Sequence, residues 1–453
     1  MDAKTNDRRE LVRGLDLSST TALVVGTVIG TGVFLKTARM AQAAGTPLLI
    51  MLAWIAAGLL SLAGALSLAE LGAMLPNAGG EYVYLRTAYG DLPAFLFGWM
   101  RLTIGSTGSI ASYGAAFATF LSALVPMNSI VMKAAGVTII LFFSAINCLR
   151  VTFGGRVQAI LTLAKVLAIA TIAGGVFLFA PSATAANLAA PPGVPAWCGF
   201  SAFGAAMLSA LWAYDGWNNM PMVAGEVRDP GRNIPRALIL GMAMVLLVYV
   251  VINLAYCYAL PVAEIGNANS TLHPTALPVA AKAAQTFLPH FGAAWVAIAA
   301  MLSTIGALNG SILSGARVPY AMARDGLFFA VFARLGERSA VPVFAIILQG
   351  LWASVLVISA TFDQLTECVV FASMIFYAST TVALFVLRKK MPSAPRPYKT
   401  LGYPIVPMVF VAVSVWLLIN TLRTSPVESV AGLGLIGLGW PFYLWQHRKM
   451  ARP

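Results

Sequence analysis

The chain has 453 residues, of which 59% are hydrophobic and only 10% charged, with a formal net charge of +13. A soluble domain carries about 25% charged residues, so this composition excludes an ordinary cytosolic enzyme, a secreted disulfide scaffold and a disordered regulator. What remains is an all-α polytopic membrane protein: a spanning helix needs about 20 apolar residues, and twelve of them fit this length.

In chain order, a polar tail at 1–17 precedes apolar runs at 18–43, 47–75, 91–124, 130–149 and 155–180. A second set lies at 201–225, 235–262, 290–323, 341–361 and 364–387, followed by runs at 403–422 and 428–446 and a tail at 447–453. The first run is too long for a signal peptide and lacks a small-residue cleavage site. An even number of spans puts both termini on one side. Alternating the loops then assigns 22 of the 29 Lys and Arg to the N-terminal side and five (Lys36, Arg39, Lys133, Lys282, Arg423) to the other, leaving Arg101 and Lys165 inside spans. Cytoplasmic loops collect Lys and Arg. Both termini are therefore expected in the cytoplasm, with the chain in a plasma or inner membrane, and the pI of about 9.8 reports topology, not nucleic-acid binding. Cys148, Cys198, Cys257 and Cys368 are far apart, and His273, His290 and His447 have no ligand spacing. Neither a disulfide framework nor a metal site is expected.

Two spans are interrupted. The first contains Gly26-Thr27-Val28-Ile29-Gly30-Thr31-Gly32-Val33-Phe34, with three glycines at seven-residue reach, each costing about 1 kcal/mol relative to Ala in a helix. The sixth contains Leu211-Trp212-Ala213-Tyr214-Asp215-Gly216-Trp217-Asn218-Asn219 and then Pro221. Glycines in a span also serve close helix packing. Here, however, the interruptions fall five spans apart, the correspondence that points to a transporter site between two repeats. The repeats would be 18–180 and 201–387, with 403–446 appended. Unwound backbone at membrane depth must be buried or line a cavity. Half-helix N-termini offer N–H groups and partial positive charge to a carboxylate, and loose carbonyls suit an ammonium. An α-amino acid carries both groups on one carbon.

At these residues the sequence resembles the amino acid–polyamine–organocation superfamily, and within it the L-type amino-acid transporters and the bacterial serine/threonine exchangers. The resemblance rests on GTVIGTGVF (26–34), AELGAMLPNAGGEYVYL (69–85), RVQAILTLAKVLA (156–168), WAYDGWNNMPMVAGEVRDPGRNIPRAL (212–238), LNGSILSGARVPYAMARDG (308–326) and RPYKTLGYPIVP (396–407). It implies a LeuT-type five-plus-five inverted repeat, helices 1 and 6 broken, working by alternating access without a cofactor. It implies that the N–H groups of Thr31 and Gly32 take the substrate carboxylate, with the Thr31 hydroxyl adding to them. Carbonyls of Val28, Trp212 and Asp215 would receive the amine, within a backbone socket that includes Ile29, Gly30 and Ala213. Trp212 matches the aromatic that caps the site; Asn218 and Asn309 are candidate polar walls. Relatives of this type place a disulfide to a partner chain in the loop between spans 3 and 4. The corresponding segment, about 124–131, has no cysteine, so no disulfide-linked partner is expected.

Lys165 lies about ten residues into the fifth span, where an ammonium is expensive and marks function by default; the alternative is a lysine that only ties two helices together. In the resemblance it replaces a bound sodium ion beside the unwound part of helix 1. Asp215 stays open between holding the amine, pairing internally, carrying a proton and capping the second half of helix 6. Glu226, Arg228, Asp229, Arg232 and Arg236, around Pro230 and Pro235, read as a solvated or gating salt-bridge cluster, and Glu70 and Glu81 likewise. Arg101 either lines the cavity or pairs internally.

The expected function is a sodium-independent exchanger of neutral L-amino acids. Alternatives are a proton-coupled symporter and a carrier of cationic amino acids or polyamines, for which Asp215 is the evident acid. A membrane-embedded enzyme or receptor is disfavoured: the sequence has no HExxH, GxSxG or His cluster and no sizeable soluble region.

Overall fold

A computed structural model describes residues 13–149, 151–273, 276–337 and 339–450, with the side chains of 151–157 and 447–450 left aside. The tail up to residue 12, Arg150, Arg338 and 451–453 lie outside the described residues, as do the side chains of Arg156, His447, Arg448 and Lys449.

Helix α1 is broken into Leu17–Val28 (α1a) and Gly32–Ala44 (α1b), which meet at 41°. α2 is Pro47–Met74. α3 runs from Asp91–Met100 through a π-helical turn at Arg101–Gly105 into Ser106–Ser122. α4 is Ser129–Asn147 and α5 is Val151–Phe179. α6 is broken into Phe200–Tyr214 (α6a) and the short Asn219–Met222 (α6b). Then come α7 (Pro230–Ala259), α8 (Gly292–Gly315, continued by Arg317–Arg324), α9 (Val343–Ser359) and α10 (Phe362–Lys390). α11 is Ile405–Thr424, and α12 is Pro426–Gly437 continued by Gly439–Met450. Among the described residues, eight helices are long and apolar enough to cross a membrane, or nine with the bent α1 pair taken as one span. The predicted third, sixth and ninth spans are interrupted or shorter helices.

Local sequence sets the starts. Asp16 caps α1a by accepting from the Ser19 N–H at 2.8 Å, Thr46 precedes Pro47 at the start of α2, and Asn128 caps α4. Thr361 and Gln364 form a reciprocal capping box on α10. The helices then arrange polarity in reverse to a water-soluble protein. Arg101, Lys165, Glu81 and Arg317 are buried, while Leu163, Leu247, Ile347 and Leu351 are exposed. A hydrocarbon solvent demands this, because a charge facing it is unpaid for, whereas an apolar side chain costs nothing.

Short helices that no apolar run predicts fill the loops. Glu81–Tyr89 lies between α2 and α3; Val262–Gly266 and Val279–Gln285 lie between α7 and α8. The chain ends of α2, α6b, α8 and α3 meet Arg13 around one cleft on the N-terminal side. The predicted opposite-side residues Lys36, Arg39 and Lys282 find partners in α10 and in the segment after α7: Asp363, Glu367, and the carbonyls of Glu264 and Asn267.

Candidate substrate site at the two helix breaks

The breaks face each other at close quarters. α1a stops at Val28, where Ile29 turns extended (φ −70°, ψ 96°), and α6a stops at Tyr214, where Asp215 does the same (φ −67°, ψ 148°). Gly216 follows at φ +118°, a conformation open to glycine, and a Cβ there would sit 2.8 Å from the Thr27 carbonyl oxygen. A Cβ on Gly32 would sit 2.5 Å from the Ala213 Cβ and 2.6 Å from its Cα. Glycine at these positions is what lets the two backbones touch.

Two side chains lock the contact. The Tyr249 hydroxyl, from α7, lies 2.8 Å from the Ala213 carbonyl and 3.1 Å from that of Val28, so one group spans the ends of both broken helices. The Thr27 hydroxyl lies 3.1 Å from the Gly216 carbonyl. Above the break, the Trp212 indole N–H donates to the Thr31 hydroxyl at 3.4 Å, and the Trp212 ring lies 5.7 Å from Tyr113 and 6.1 Å from Phe362.

Lys165 is fully buried and reaches the break of α1 from α5. Its ammonium donates to the carbonyls of Ile29 at 2.6 Å, Gly26 at 2.8 Å and Ser303 at 3.0 Å. Three protons meet three acceptors, which satisfies the donor inventory of the group. In an unbroken α1 the Gly26 and Ile29 carbonyls would be taken by N–H groups four residues on; the lysine replaces those lost donors. Gly306 leaves the space, since a Cβ there would stand 2.9 Å from Nζ. The Ser303 hydroxyl adds a contact of 3.0 Å to the Gly30 carbonyl.

Asp215 accepts from the Tyr377 hydroxyl at 2.5 Å. Asn218 turns away from the α1 break and donates to Glu81 at 3.3 Å, while Thr380 approaches the other Glu81 oxygen at 3.5 Å. Arg101 is buried and donates to Asn219 at 3.0 Å, so it pairs internally. Asn309 belongs to another cluster: it accepts from Asn147 at 2.8 Å and donates to Gln158 at 3.2 Å, clamping α4, α8 and α5. The structure thus gathers Val28, Ile29, Gly30, Thr31, Gly32, Trp212, Ala213, Asp215 and Lys165 at one place and sets Asn218 and Asn309 in two neighbouring polar clusters. Tyr249, Ser303 and Tyr377, which nothing in their apolar runs singled out, join the first group.

Ion pairs tie the elements together on both sides of the breaks. Away from the N-terminal side, Lys36 of α1b pairs with Asp363 of α10 at 2.7 Å and stands 4.7 Å over the Phe362 ring, and Arg39 pairs with Glu367 at 2.9 Å. On the N-terminal side, most charges of the loop after α6b are solvated, one of the two expected forms, and among the described residues they form no ion pairs with one another. Glu226 pairs with the fully buried Arg317 at 3.0 Å, while Arg228, Arg232 and Arg236 stay exposed. The reason is desolvation: Arg317 is enclosed by α8 and needs a carboxylate there. The Glu226 and Arg228 backbones also bond Gly14 and Leu15, strapping the N-terminal segment to this loop. Glu70 is likewise paired, with Arg388 at 2.6 Å. Beyond the straps a cavity of about 910 Å³ opens on the N-terminal side, lined by Arg13, Asn77, Arg86, Tyr320, Arg324 and Asp325.

Residues 15–437, from the N-terminal strap into α12, match the family described as amino acid permease. The chain belongs to the amino acid permease family. This permease is 33% identical over 442 residues to the serine/threonine exchanger SteT of Bacillus subtilis, covering 95% of each chain. It is 33% identical over 426 residues to the b(0,+)-type amino acid transporter 1 of Homo sapiens, covering 92% of this chain and 84% of the relative. It is 30% identical over 459 residues to the large neutral amino acids transporter small subunit 2 of Mus musculus, covering 97% and 82%. The permease has the all-α polytopic fold of that superfamily, with its first and sixth helices broken.

Proposed function

We propose that this permease exchanges α-amino acids across the membrane by alternating access, without sodium, with both termini in the cytoplasm. The observation that carries this reading is the pair of helix breaks in contact, one of them held open by the Lys165 ammonium. The repeats at 18–180 and 201–387 would each supply one break. The N–H groups of Thr31 and Gly32 stand at the start of α1b, where no intrahelical acceptor exists, and suit the substrate carboxylate. The Val28 carbonyl already accepts from Tyr249 and that of Trp212 from the Asp215 N–H. A carbonyl has two lone pairs, so both keep one for the substrate ammonium, beside Asp215. Neutral side chains are the favoured substrates, because the wall around Trp212 is built from Tyr113 and Phe362.

In this reading the Lys36–Asp363 and Arg39–Glu367 pairs close the external side. Asp363→Asn weakens the first and shifts the population toward the externally open form. External substrate should then bind severalfold more tightly while internal affinity falls, which two-sided exchange assays would register; unchanged affinities on both faces would remove these pairs from gating.

Asp215→Asn keeps an oxygen that accepts from Tyr377 and removes the charge. If Asp215 assists the substrate amine, affinity should drop about tenfold, the worth of one charge-assisted hydrogen bond; if it only caps the break, affinity should not move. The function itself is tested in liposomes. Neutral amino acids preloaded inside should accelerate uptake of labelled neutral amino acid over empty vesicles, and competition by the common amino acids orders the substrates. Equal uptake into empty and loaded vesicles would contradict exchange.

A further inference from the structure

The exposed face of α7 is unused by the site. Arg232, Arg236, Leu240, Met244, Leu247 and Val251 recur at three- and four-residue intervals and are all exposed, so they form one stripe along the helix. Two guanidinium groups stand at its N-terminal-side end, and apolar side chains continue from there into the span. Beside the arginines, α7 and the segment before α11 enclose a cleft of about 450 Å³, lined by Asp229, Arg232, Pro235, Arg236, Pro397 and Tyr398. Its walls are close and stiff: a Cβ on Gly231 would stand 2.9 Å from the Pro397 ring. Lys399, next to Tyr398, is exposed as well. Among the described residues neither arginine has an ion-pair partner, and the cleft they line holds one carboxylate, that of Asp229.

We propose that this cleft binds the phosphate headgroup of an anionic phospholipid, with Arg232 and Arg236 on the phosphate and an acyl chain along Leu240, Met244 and Leu247. Guanidinium groups match phosphate oxygens in geometry as well as charge, and basic pockets at the ends of spanning helices take anionic headgroups. The continuity of arginines with a lipid-facing apolar stripe selects a lipid over a soluble anion, which would leave the stripe unused.

The test uses the purified full chain in micelles carrying phosphatidylglycerol, phosphatidylcholine or inorganic phosphate. Phosphatidylglycerol alone should raise the unfolding temperature, and native mass spectrometry should show one retained molecule. Arg232→Gln with Arg236→Gln should abolish the shift and weaken retention about tenfold or more, whereas the charge-matched pair Arg334→Gln with Lys389→Gln, exposed elsewhere on the same side, should keep both. An equal shift with phosphatidylcholine or inorganic phosphate, retention by the arginine variant, or equal loss in the control pair would overturn the proposal.

Discussion

Replacing Lys165 with methionine should abolish exchange while leaving a membrane-inserted protein. The methionine chain matches the lysine stem but brings no donors, so the carbonyls of Gly26, Ile29 and Ser303 lose the ammonium together. Ile29 keeps the Ser303 hydroxyl at 3.3 Å and Ser303 sits inside α8, so the Gly26 carbonyl is the one left without a donor. Orphaning it costs about 1–3 kcal/mol and losing the charge-assisted bond to Ile29 about 1.5–3 kcal/mol, so even at the low end the closed contact loses roughly 2.5 kcal/mol, somewhat under a hundredfold in its population. Arginine should not rescue, because its planar, wider head cannot enter the space that Gly306 leaves beside Nζ. Uptake by reconstituted variants at equal protein density measures the effect. Near-normal exchange by the methionine variant would show that α1 holds its break without the ammonium.

Gly32→Ala should be nearly as damaging, for a steric reason. Carbon atoms attract best at about 3.5–4.0 Å, and the new methyl would arrive 2.5 Å from the Ala213 Cβ and 2.6 Å from its Cα. The obstacle includes backbone, which cannot rotate aside. Separating α1b from α6a by the missing ångström would cost about 1–3 kcal/mol and displace the N–H groups assigned to the substrate carboxylate. Gly174→Ala in α5 is the control: a Cβ there meets nothing within 4 Å, and helix propensity alone predicts a gain of up to about 1 kcal/mol. Substrate affinity should fall for Gly32→Ala and stay unchanged for Gly174→Ala. Equal behaviour of the two would mean the breaks are not in functional contact.

The parts of the site that could be read from sequence are those that violate the rules of a spanning helix. Glycines, an acid and two asparagines inside apolar runs announce the breaks in α1 and α6, and a single deep ammonium announces Lys165. Its neighbour Thr162, one turn earlier on α5, approaches the Ala22 carbonyl of α1a at 3.1 Å, but nothing in the apolar run marks it. What sequence could not give was azimuth and irregular geometry. Asn309 lies six residues after Ser303, about 240° further round the helix, so it faces α4 and α5 when Ser303 faces α1. Asn218 follows a non-helical stretch whose direction no periodicity fixes. The π-helical turn at Arg101–Gly105 has no compositional signature, and Tyr249 is one aromatic residue in an apolar run until α7 is packed against both breaks.

The central claim is that the Lys165 ammonium does at the α1 break what a bound cation would otherwise do. Exchange measured in proteoliposomes over a sodium titration, with choline replacing sodium at constant ionic strength, tests it directly. A flat response of the wild-type permease, together with loss of exchange in Lys165→Met at every sodium concentration, is the predicted result; exchange by the wild type that rises with sodium and vanishes without it would contradict the claim.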